Sequence, residues 1–211
     1  MRQTSERWEI RFFRHRANVA VALSLPLLVA VLVWAGAVAA ALPFILAGVL
    51  LFPLNEYGLH RFALHAPPSR HPFVRRMQHR LHFDHHADPQ RFELLFAPWW
   101  FTFPAAALNG VIVLALFHHG SAALGFTLGS LMAMLYYEWV HYVSHVPITP
   151  RTRFGQAMKR AHLWHHHKNE HFWFGVTTPV MDKLHGTFPA VREVPMSVSV
   201  RALDQEIAQS S

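Results

Sequence analysis

The chain has 211 residues, enough for one domain, and hydrophobic residues (52%) far outnumber charged ones (15%). The absence of cysteine excludes disulfides, zinc–thiolate sites, iron–sulfur clusters and cysteine nucleophiles. The formal net charge of +7 has a simpler explanation in membrane orientation than in nucleic acid, so no nucleic-acid partner is predicted.

The first predicted elements are an interfacial segment and a membrane hairpin. Residues 1–18 contain aromatic and arginine side chains and are predicted to form an amphipathic helix at the membrane surface. From Val19 to Leu54 no charged residue occurs, which is too long for one span and suits two. We expect the turn near Ala39–Pro43, with Pro43 in the first turn of the second helix and Pro26 kinking the first. No cleaved signal peptide is expected.

A second hairpin follows the long middle loop, Asn55–Phe96. Its apolar block runs from Ala97 to Phe117, is interrupted at His118–Gly120, and resumes from Ser121 to Val140. The predicted fold is therefore all-α, with four transmembrane helices in two hairpins and a cytosolic helical cap. The predicted divisions are residues 1–18, the membrane domain 19–189 and a tail 190–211.

The basic residues predict the orientation of these spans. Of the 19 Lys and Arg residues, five precede the first span, six lie in the middle loop and eight follow the last span. Neither predicted hairpin turn has any. Because basic residues concentrate on the cytosolic side, the N-terminus, the middle loop and the C-terminal segment are predicted to face the cytosol.

Ten histidines repeat one pattern after each hairpin: a spaced pair, then an HxxHH triplet. The pairs occur in HRFALH and HYVSH, and the triplets in HFDHH and HLWHH. Such duplication suggests a two-metal site with two similar halves, and the predicted ligands are His60, His65, His82, His85, His86, His141, His145, His162, His165 and His166. The other eight histidines lack the pattern and most are expected to be structural, with His79 and His167 left open.

Helix geometry supports most of these ligands. Histidines three or four apart share one helix face, as in both triplets and in His141/His145. His60 and His65 are five apart and differ by about 140° on a regular helix. Either the helix unwinds there, or the two residues serve different positions in the site.

Three carboxylates near the motifs are candidates to accept the outer N–H of a ligating imidazole: Glu56, Asp84 and Glu138. Imidazole ligation suits zinc, copper, iron and nickel alike. The location at a bilayer edge favours a redox metal acting with oxygen on a lipid tail, because zinc has no redox chemistry.

From about Asn55 to Pro189, the order HRFALH, HFDHH, HYVSH and HLWHH resembles the fatty acid hydroxylase superfamily. The four residues between His60 and His65, and the ending HLWHHHKNEHFWFGVTTPVMDKLHGTF, are most similar to fatty acid and ceramide 2-hydroxylases. The resemblance implies metal ligation by the ten histidines, two iron ions that zinc can replace in a purified sample, oxygen as co-substrate, and hydroxylation beside the acyl carboxyl group. His185 stands where the family ending usually has an aromatic residue.

Eighteen residues precede the first predicted span, so we expect electrons from a separate donor, a b-type cytochrome or a ferredoxin with its reductase. Alternatives with the same site are a lipid desaturase, a sterol or carotenoid hydroxylase, and an aldehyde- or alkane-producing oxygenase. Outside this class, a metal-transporting or metal-storing membrane protein would need ionisable residues near the bilayer midplane, which the apolar runs largely lack. A structural zinc-binding membrane protein is the third alternative.

Overall fold

The computed structural model describes residues Trp8–Leu203, and within this part of the chain every regular element is helical. The chain begins with α1 (Trp8–Phe12), α2 (Arg16–Trp34) and α3 (Val38–Leu59). The short α4 (Pro72–Gln78) and α5 (Asp84–Ala87) follow, then α6 (Trp99–Phe117) and α7 (Gly120–His145). The chain continues with α8 (Arg153–His167) and α9 (Val180–Leu184). Single 3-10 turns occur at Phe92–Leu94 and Val191–Glu193. The all-α prediction is confirmed for the described residues.

Two stretches of π-helix interrupt the regular pattern. One, His60–Leu64, continues α3, and the other, His79–Phe83, joins α4 to α5. In the first, the His65 amide donates to the His60 carbonyl at 3.0 Å, a bond that spans five residues. The wider π turn brings residues five apart onto nearly the same side of the helix. The helix thus widens between His60 and His65.

The connection between the first two long helices lies earlier in the chain than predicted. α2 ends at Trp34 and α3 begins at Val38, so the predicted turn at Ala39–Pro43 is wrong, and Pro43 lies beyond the first turn of α3. Gly36 explains the difference, because its φ of +61° is the left-handed conformation that ends helices. Pro26 lies inside α2 as predicted. The break at His118–Gly120 is close to the prediction: α6 ends at Phe117 and α7 begins at Gly120.

Of the amphipathic segment predicted over residues 1–18, the described part contains α1 and the start of α2; residues 1–7 lie outside the described chain. Phe12 is buried and makes edge-to-face contacts with Phe96 and Trp139. The Asn18 side chain donates to the Phe12 carbonyl at 3.1 Å. These contacts tie α1 to the helices that follow it.

The chain divides into two compact units, and each is considered by itself. The first unit comprises the described residues up to Phe52 together with Phe96–Trp139. Its core joins α2, α3, α6 and α7 through small apolar clusters such as Val21, Ala106 and Leu131. α3 and α7 approach so closely at Gly125 that a Cβ there would meet the Ala41 carbonyl at 2.6 Å. Such small-residue contacts are typical of helices packed within a membrane.

Three helical segments of the described chain are long and apolar enough to cross a membrane: Arg16–Trp34, Val38–Leu64 and Phe92–Phe117. Large apolar side chains on them are exposed, among them Leu27 and Leu116. Exposed apolar surface of this extent suits contact with lipid. α7, which has 26 residues and includes glycines, serines and tyrosines, is not one of the three.

The second unit comprises Pro53–Leu95 and the described residues from Val140 onward. It contains α4, α5, α8, α9 and both π turns. A small apolar core of Ala161, Trp173 and Val194 packs α8 against the segments that follow it. All ten histidines of the four motifs belong to this unit.

Candidate metal centre

The ten motif histidines lie in two groups of five, and in each group the ring nitrogens that could bind an ion are all within 4.8 Å of one another. The first histidine group consists of His60, His65, His82, His86 and His165. The second histidine group consists of His85, His141, His145, His162 and His166. Nine of the ten side chains are buried, and His65 is partly exposed.

Each HxxHH triplet divides between the two groups. His82 and His86, four apart, join the first group, whereas His85 joins the second. The other triplet is arranged in the opposite way, since His162 and His166 join the second group and His165 the first. Each group therefore contains one spaced pair, two histidines of one triplet and the middle histidine of the other triplet.

The π turn resolves the question raised by His60 and His65. The two side chains belong to the same group, and their ring centroids are 5.0 Å apart. A regular helix would have directed them about 140° apart. The local widening of the helix is therefore what allows both residues to face one point.

Two polar side chains hold the triplet-bearing helices against the ends of the preceding helices. The buried Gln78 amide donates to the Ala63 carbonyl at 3.1 Å and the Ala66 carbonyl at 3.2 Å, just after the first pair begins. The Lys159 ammonium donates to the Val143 and Val146 carbonyls at 2.8 and 2.6 Å, at the end of α7. Sequence reasoning missed both residues, although each lies one helical turn before a triplet.

The start of α8 is fixed locally. The Thr152 hydroxyl accepts a hydrogen bond from the Gly155 amide at 3.0 Å, which is a standard N-cap. α8 then runs through HLWHH to His167. The cap and Lys159 together set the position from which the second triplet reaches the site.

The inner ring nitrogens, the Nε2 atoms, converge within each group to hydrogen-bond distance or closer. In the first group the His82 Nε2 is 2.6 Å from the His65 Nε2 and 3.2 Å from the His60 Nε2. In the second group the His145 and His162 Nε2 atoms are 2.9 Å apart. A neutral imidazole has one proton for two nitrogens, so several of these inner nitrogens present lone pairs to one another.

The outer ring nitrogens, the Nδ1 atoms, show which way the lone pairs of the inner nitrogens point. The Nδ1 atoms of His60 and His165 lie 2.5 and 2.8 Å from the carbonyl oxygens of Phe174 and Phe172, and a carbonyl can only accept. The His86 Nδ1 lies 2.9 Å from the Val200 carbonyl, and that of His141 is 2.8 Å from Leu95. With Nδ1 protonated, each neutral ring directs its Nε2 lone pair inward, as metal-ligating histidines do.

Burial keeps the triplet imidazoles neutral. Burial lowers the pKa of all six triplet histidines well below 6.5, and the neighbouring imidazoles lower it further. The six are His82, His85, His86, His162, His165 and His166. Two groups of uncharged imidazoles with converging lone pairs fit a pair of metal ions, because a cation removes the repulsion between the lone pairs. The spacing within each group is comparable to twice a metal–imidazole bond of about 2.1 Å.

The three candidate carboxylates have other contacts. Glu56 accepts hydrogen bonds from the backbone of Val176 and Thr177, whereas the outer nitrogen of His60 has the Phe174 carbonyl, so the prediction for Glu56 is wrong. Asp84 contacts the His79 ring at 2.9 Å. Glu138 accepts a bond from the Ala97 amide at 2.9 Å. Backbone carbonyls, which carry no sequence signal, instead accept from the outer nitrogens of His60, His86, His141 and His165.

The two histidines that the sequence left open, His79 and His167, and the unusual His185 lie outside the two histidine groups. His79 pairs with Asp84, and His167 lies 2.8 Å from the Arg201 guanidinium. His185 stacks on Tyr57 with ring centroids 4.9 Å apart, so an imidazole takes the place of the expected aromatic ring. None of the three is in either histidine group.

Comparisons with known proteins agree with this geometry. The sequence model of the fatty acid hydroxylase family matches residues 45–187. The ceramide very long chain fatty acid hydroxylase of Saccharomyces cerevisiae is 34% identical over 67% of this chain and 36% of its own length. The dihydroceramide fatty acyl 2-hydroxylase of Arabidopsis thaliana is 31% identical over 69% of this chain and 60% of its own.

A third relative, the fatty acid 2-hydroxylase of Macaca fascicularis, is 31% identical over 64% of this chain and 36% of its own length. These alignments span between about a third and three fifths of the relatives. A solved structure described as full-length scs7p, with only the hydroxylase domain visible, superposes with a TM-score of 0.74 and 28% identity. It covers 86% of this chain and 68% of that one. The resemblance predicted from the four histidine motifs is confirmed, and the chain belongs to the fatty acid hydroxylase family.

Proposed function

We propose that this protein is a membrane oxygenase that hydroxylates a lipid acyl chain, at the 2-position of a fatty acid or fatty-acyl lipid. The observation that supports it most directly is the convergence of ten motif histidines into two groups of five, each able to hold one ion. Family membership and the activities for which the relatives are named support the lipid substrate. The proposed ligands are the five histidines of each group.

Two iron ions are the proposed metals, with molecular oxygen as co-substrate and zinc as a substitute in purified samples. Iron bound at these histidines would supply the redox chemistry needed to attack an unactivated C–H bond, which no side chain can supply. The protein's own residues fix the imidazoles, keep them neutral and exclude water by burial. The apolar helices would hold the protein in the bilayer, where lipid acyl chains are present.

The proposed arrangement in the membrane has four spans, with α7 as the fourth, and the histidine site on the cytosolic side. The distribution of Lys and Arg supports this orientation. The proposed electron donor is a separate b-type cytochrome or a ferredoxin with its reductase.

The test is expression in a host that lacks lipid hydroxylases, followed by mass spectrometry of the lipids. We expect acyl chains with one added oxygen at the 2-position. The matched control is His165→Ala, which removes one proposed ligand and should abolish the product. Loss of two hydrogens without added oxygen would instead identify a desaturase, and an oxygenated sterol or carotenoid would identify the other alternative within this class.

Unchanged lipids, with metal accumulating in the cells or in the membrane, would favour a transporter or a storage protein. The described spans oppose that alternative, because the charge-free stretch from Val19 to Leu54 has no ionisable group to carry an ion across the bilayer.

A further inference from the structure

A short loop after α8 orients two histidines of the first group. This aromatic loop, Phe172–Thr177, presents the Phe172 carbonyl to the Nδ1 of His165 at 2.8 Å and the Phe174 carbonyl to the Nδ1 of His60 at 2.5 Å. The two carbonyls thereby fix the rotation of both imidazole rings. None of the hydrogen bonds found for the second group in the described chain involves this loop.

Two buried carboxylates hold the aromatic loop by its amide groups. The Asp182 Oδ1 accepts from the Phe174 amide at 2.9 Å, and the Oδ2 accepts from the Gly175 amide at 2.6 Å. The Glu56 Oε1 accepts from the Val176 and Thr177 amides at 2.5 and 3.0 Å, while its Oε2 accepts from the Thr177 hydroxyl. Four consecutive amides, from 174 to 177, are therefore bound by carboxylates of α3 and α9.

The loop conformation is fixed by more than these bonds. Trp173 lies between the two carbonyl-bearing residues, is fully buried and has a φ of +58°, which is rare for a large side chain. Its amide donates to the Thr187 carbonyl at 2.9 Å. Gly175 has no room for a Cβ, which would overlap the backbone carbonyl oxygen of Thr178 and meet the Asp182 Oδ2 at 2.8 Å. Strained backbone of this kind persists where its surroundings determine it closely.

We propose that Asp182 and Glu56 are positioning residues for the first histidine group: they lock the aromatic loop, whose carbonyls aim His60 and His165 at one ion. Neither carboxylate is a ligand. This inference rests on the proposed two-metal site and goes further by assigning two carboxylates outside the histidine motifs to one ion alone. Asp182 and Glu56 act through the backbone, so the effect of losing them is specific to the first group.

The test uses Asp182→Asn in two variants that each retain one histidine group. The amide removes one acceptor and places an NH2 group where the Gly175 or Phe174 amide donates. The full-length protein, purified in detergent without metal, is titrated with Co²⁺ and followed by absorbance. In a His162→Ala background, which retains the first group, Asp182→Asn should weaken Co²⁺ binding by about tenfold or more. In a His82→Ala background, which retains the second group, binding should change by less than about twofold.

Glu56→Gln is the second test variant. It should also weaken Co²⁺ binding in the His162→Ala background and leave it nearly unchanged in the His82→Ala background. Glu193→Gln is the matched control, because this carboxylate lies at the surface beside Arg192 and should change neither background. Thermal unfolding of each metal-free protein shows whether a variant is folded. The measured selectivity does not depend on activity, since only the bound metal is followed.

The outcomes separate this inference from the proposed function. A wild-type protein that binds two Co²⁺ ions, with Asp182→Asn and Glu56→Gln unchanged in both backgrounds, would overturn the positioning role and leave the two-metal site intact. Equal weakening in both backgrounds would also overturn it, because that is the result of a general structural role. A wild-type protein that binds no Co²⁺ would overturn the proposed site and this inference together.

Discussion

In the first histidine group, backbone carbonyls accept hydrogen bonds from the outer nitrogens of three histidines: His60, His86 and His165. In the second group, among the described residues, His141 has such a carbonyl, whereas the Nδ1 atoms of the other four histidines have no hydrogen-bond partner: His85, His145, His162 and His166. The two groups come from the same repeated motifs. The two groups thus have the same pattern of ligands but differ in how many of their imidazole rings are held by a backbone carbonyl. The difference arises because segments outside the motifs supply these carbonyls.

The two groups also resemble each other in one respect beyond the motifs. Gln78 and Lys159 occupy corresponding places, each binding the carbonyl end of the preceding helix one turn before a triplet. One is a neutral amide and the other an ammonium group. The same contact with the preceding helix is therefore made by a different functional group in each half of the repeat.

The largest expected effect comes from pairs of substitutions within a single motif. His82 and His85 are three residues apart, yet they belong to different groups. His82→Ala with His85→Ala should therefore lower bound metal from two ions per chain to none. His162→Ala with His85→Ala, which disables only the second group, should leave one ion. Elemental analysis of the purified proteins gives the counts, and identical counts for the two pairs would contradict the division of the triplets.

Removing the metal should lower the stability of the histidine-bearing unit. The converging lone pairs repel one another without a cation, and an ion present at a thousand times its Kd contributes about 4 kcal/mol to the folded state. We expect the chelated protein to unfold at a clearly lower temperature in detergent, with recovery when Fe²⁺ or Co²⁺ is added. A melting temperature that does not respond to metal would argue against binding at these groups.

Acidification should destabilise the metal-free protein. Burial lowers the pKa of each triplet histidine, so these imidazoles stay neutral in the folded protein below pH 6.5, whereas in the unfolded chain they take up protons. Stability is therefore complete above about pH 6.5 and falls as the pH decreases, by ~1.4 kcal/mol per unit for each histidine that stays neutral. Denaturation at about pH 7.5 and about pH 5.5 measures the difference. Greater stability at the lower pH would contradict this sign.

The smallest expected effects come from the two corresponding polar side chains. Lys159→Met removes a charged donor from the carbonyls at the end of α7 and should cost about 2 kcal/mol, whereas Gln78→Met removes a neutral donor and should cost about 1 kcal/mol. Each change keeps side-chain length and apolar packing. Unfolding of the metal-free variants in parallel provides the comparison. A larger loss of stability for Gln78→Met than for Lys159→Met would contradict the expectation that the charged donor contributes more.

The sequence predicts the helical class, the second hairpin turn and the ten histidines that come together. It does not predict how they divide. On a helix, His82, His85 and His86 all point to one broad face, and only the packing of neighbouring helices decides which ion each can reach. The π turn at His60–Leu64 is likewise invisible in a pattern based on the regular helical period.

Other differences have equally local causes. The first turn lies at Gly36, where the left-handed conformation outweighs the preference of Pro43 for a helix start. Glu56 is four residues from His60, and that spacing suggested contact with the imidazole. Its carboxylate instead meets amides 120 residues away in the chain. Tertiary contacts of this kind have no periodic signal in the sequence.

Oxygen labelling tests the proposed activity most directly. The protein is expressed in a host without lipid hydroxylases under ¹⁸O₂, and the acyl lipids are analysed by mass spectrometry. We predict that wild type produces 2-hydroxyacyl lipid with the label in the new hydroxyl group, and that the His82→Ala/His162→Ala variant produces none. An unlabelled hydroxyl group, or labelled product at wild-type level from the variant, would contradict oxygen-dependent hydroxylation at the two histidine groups.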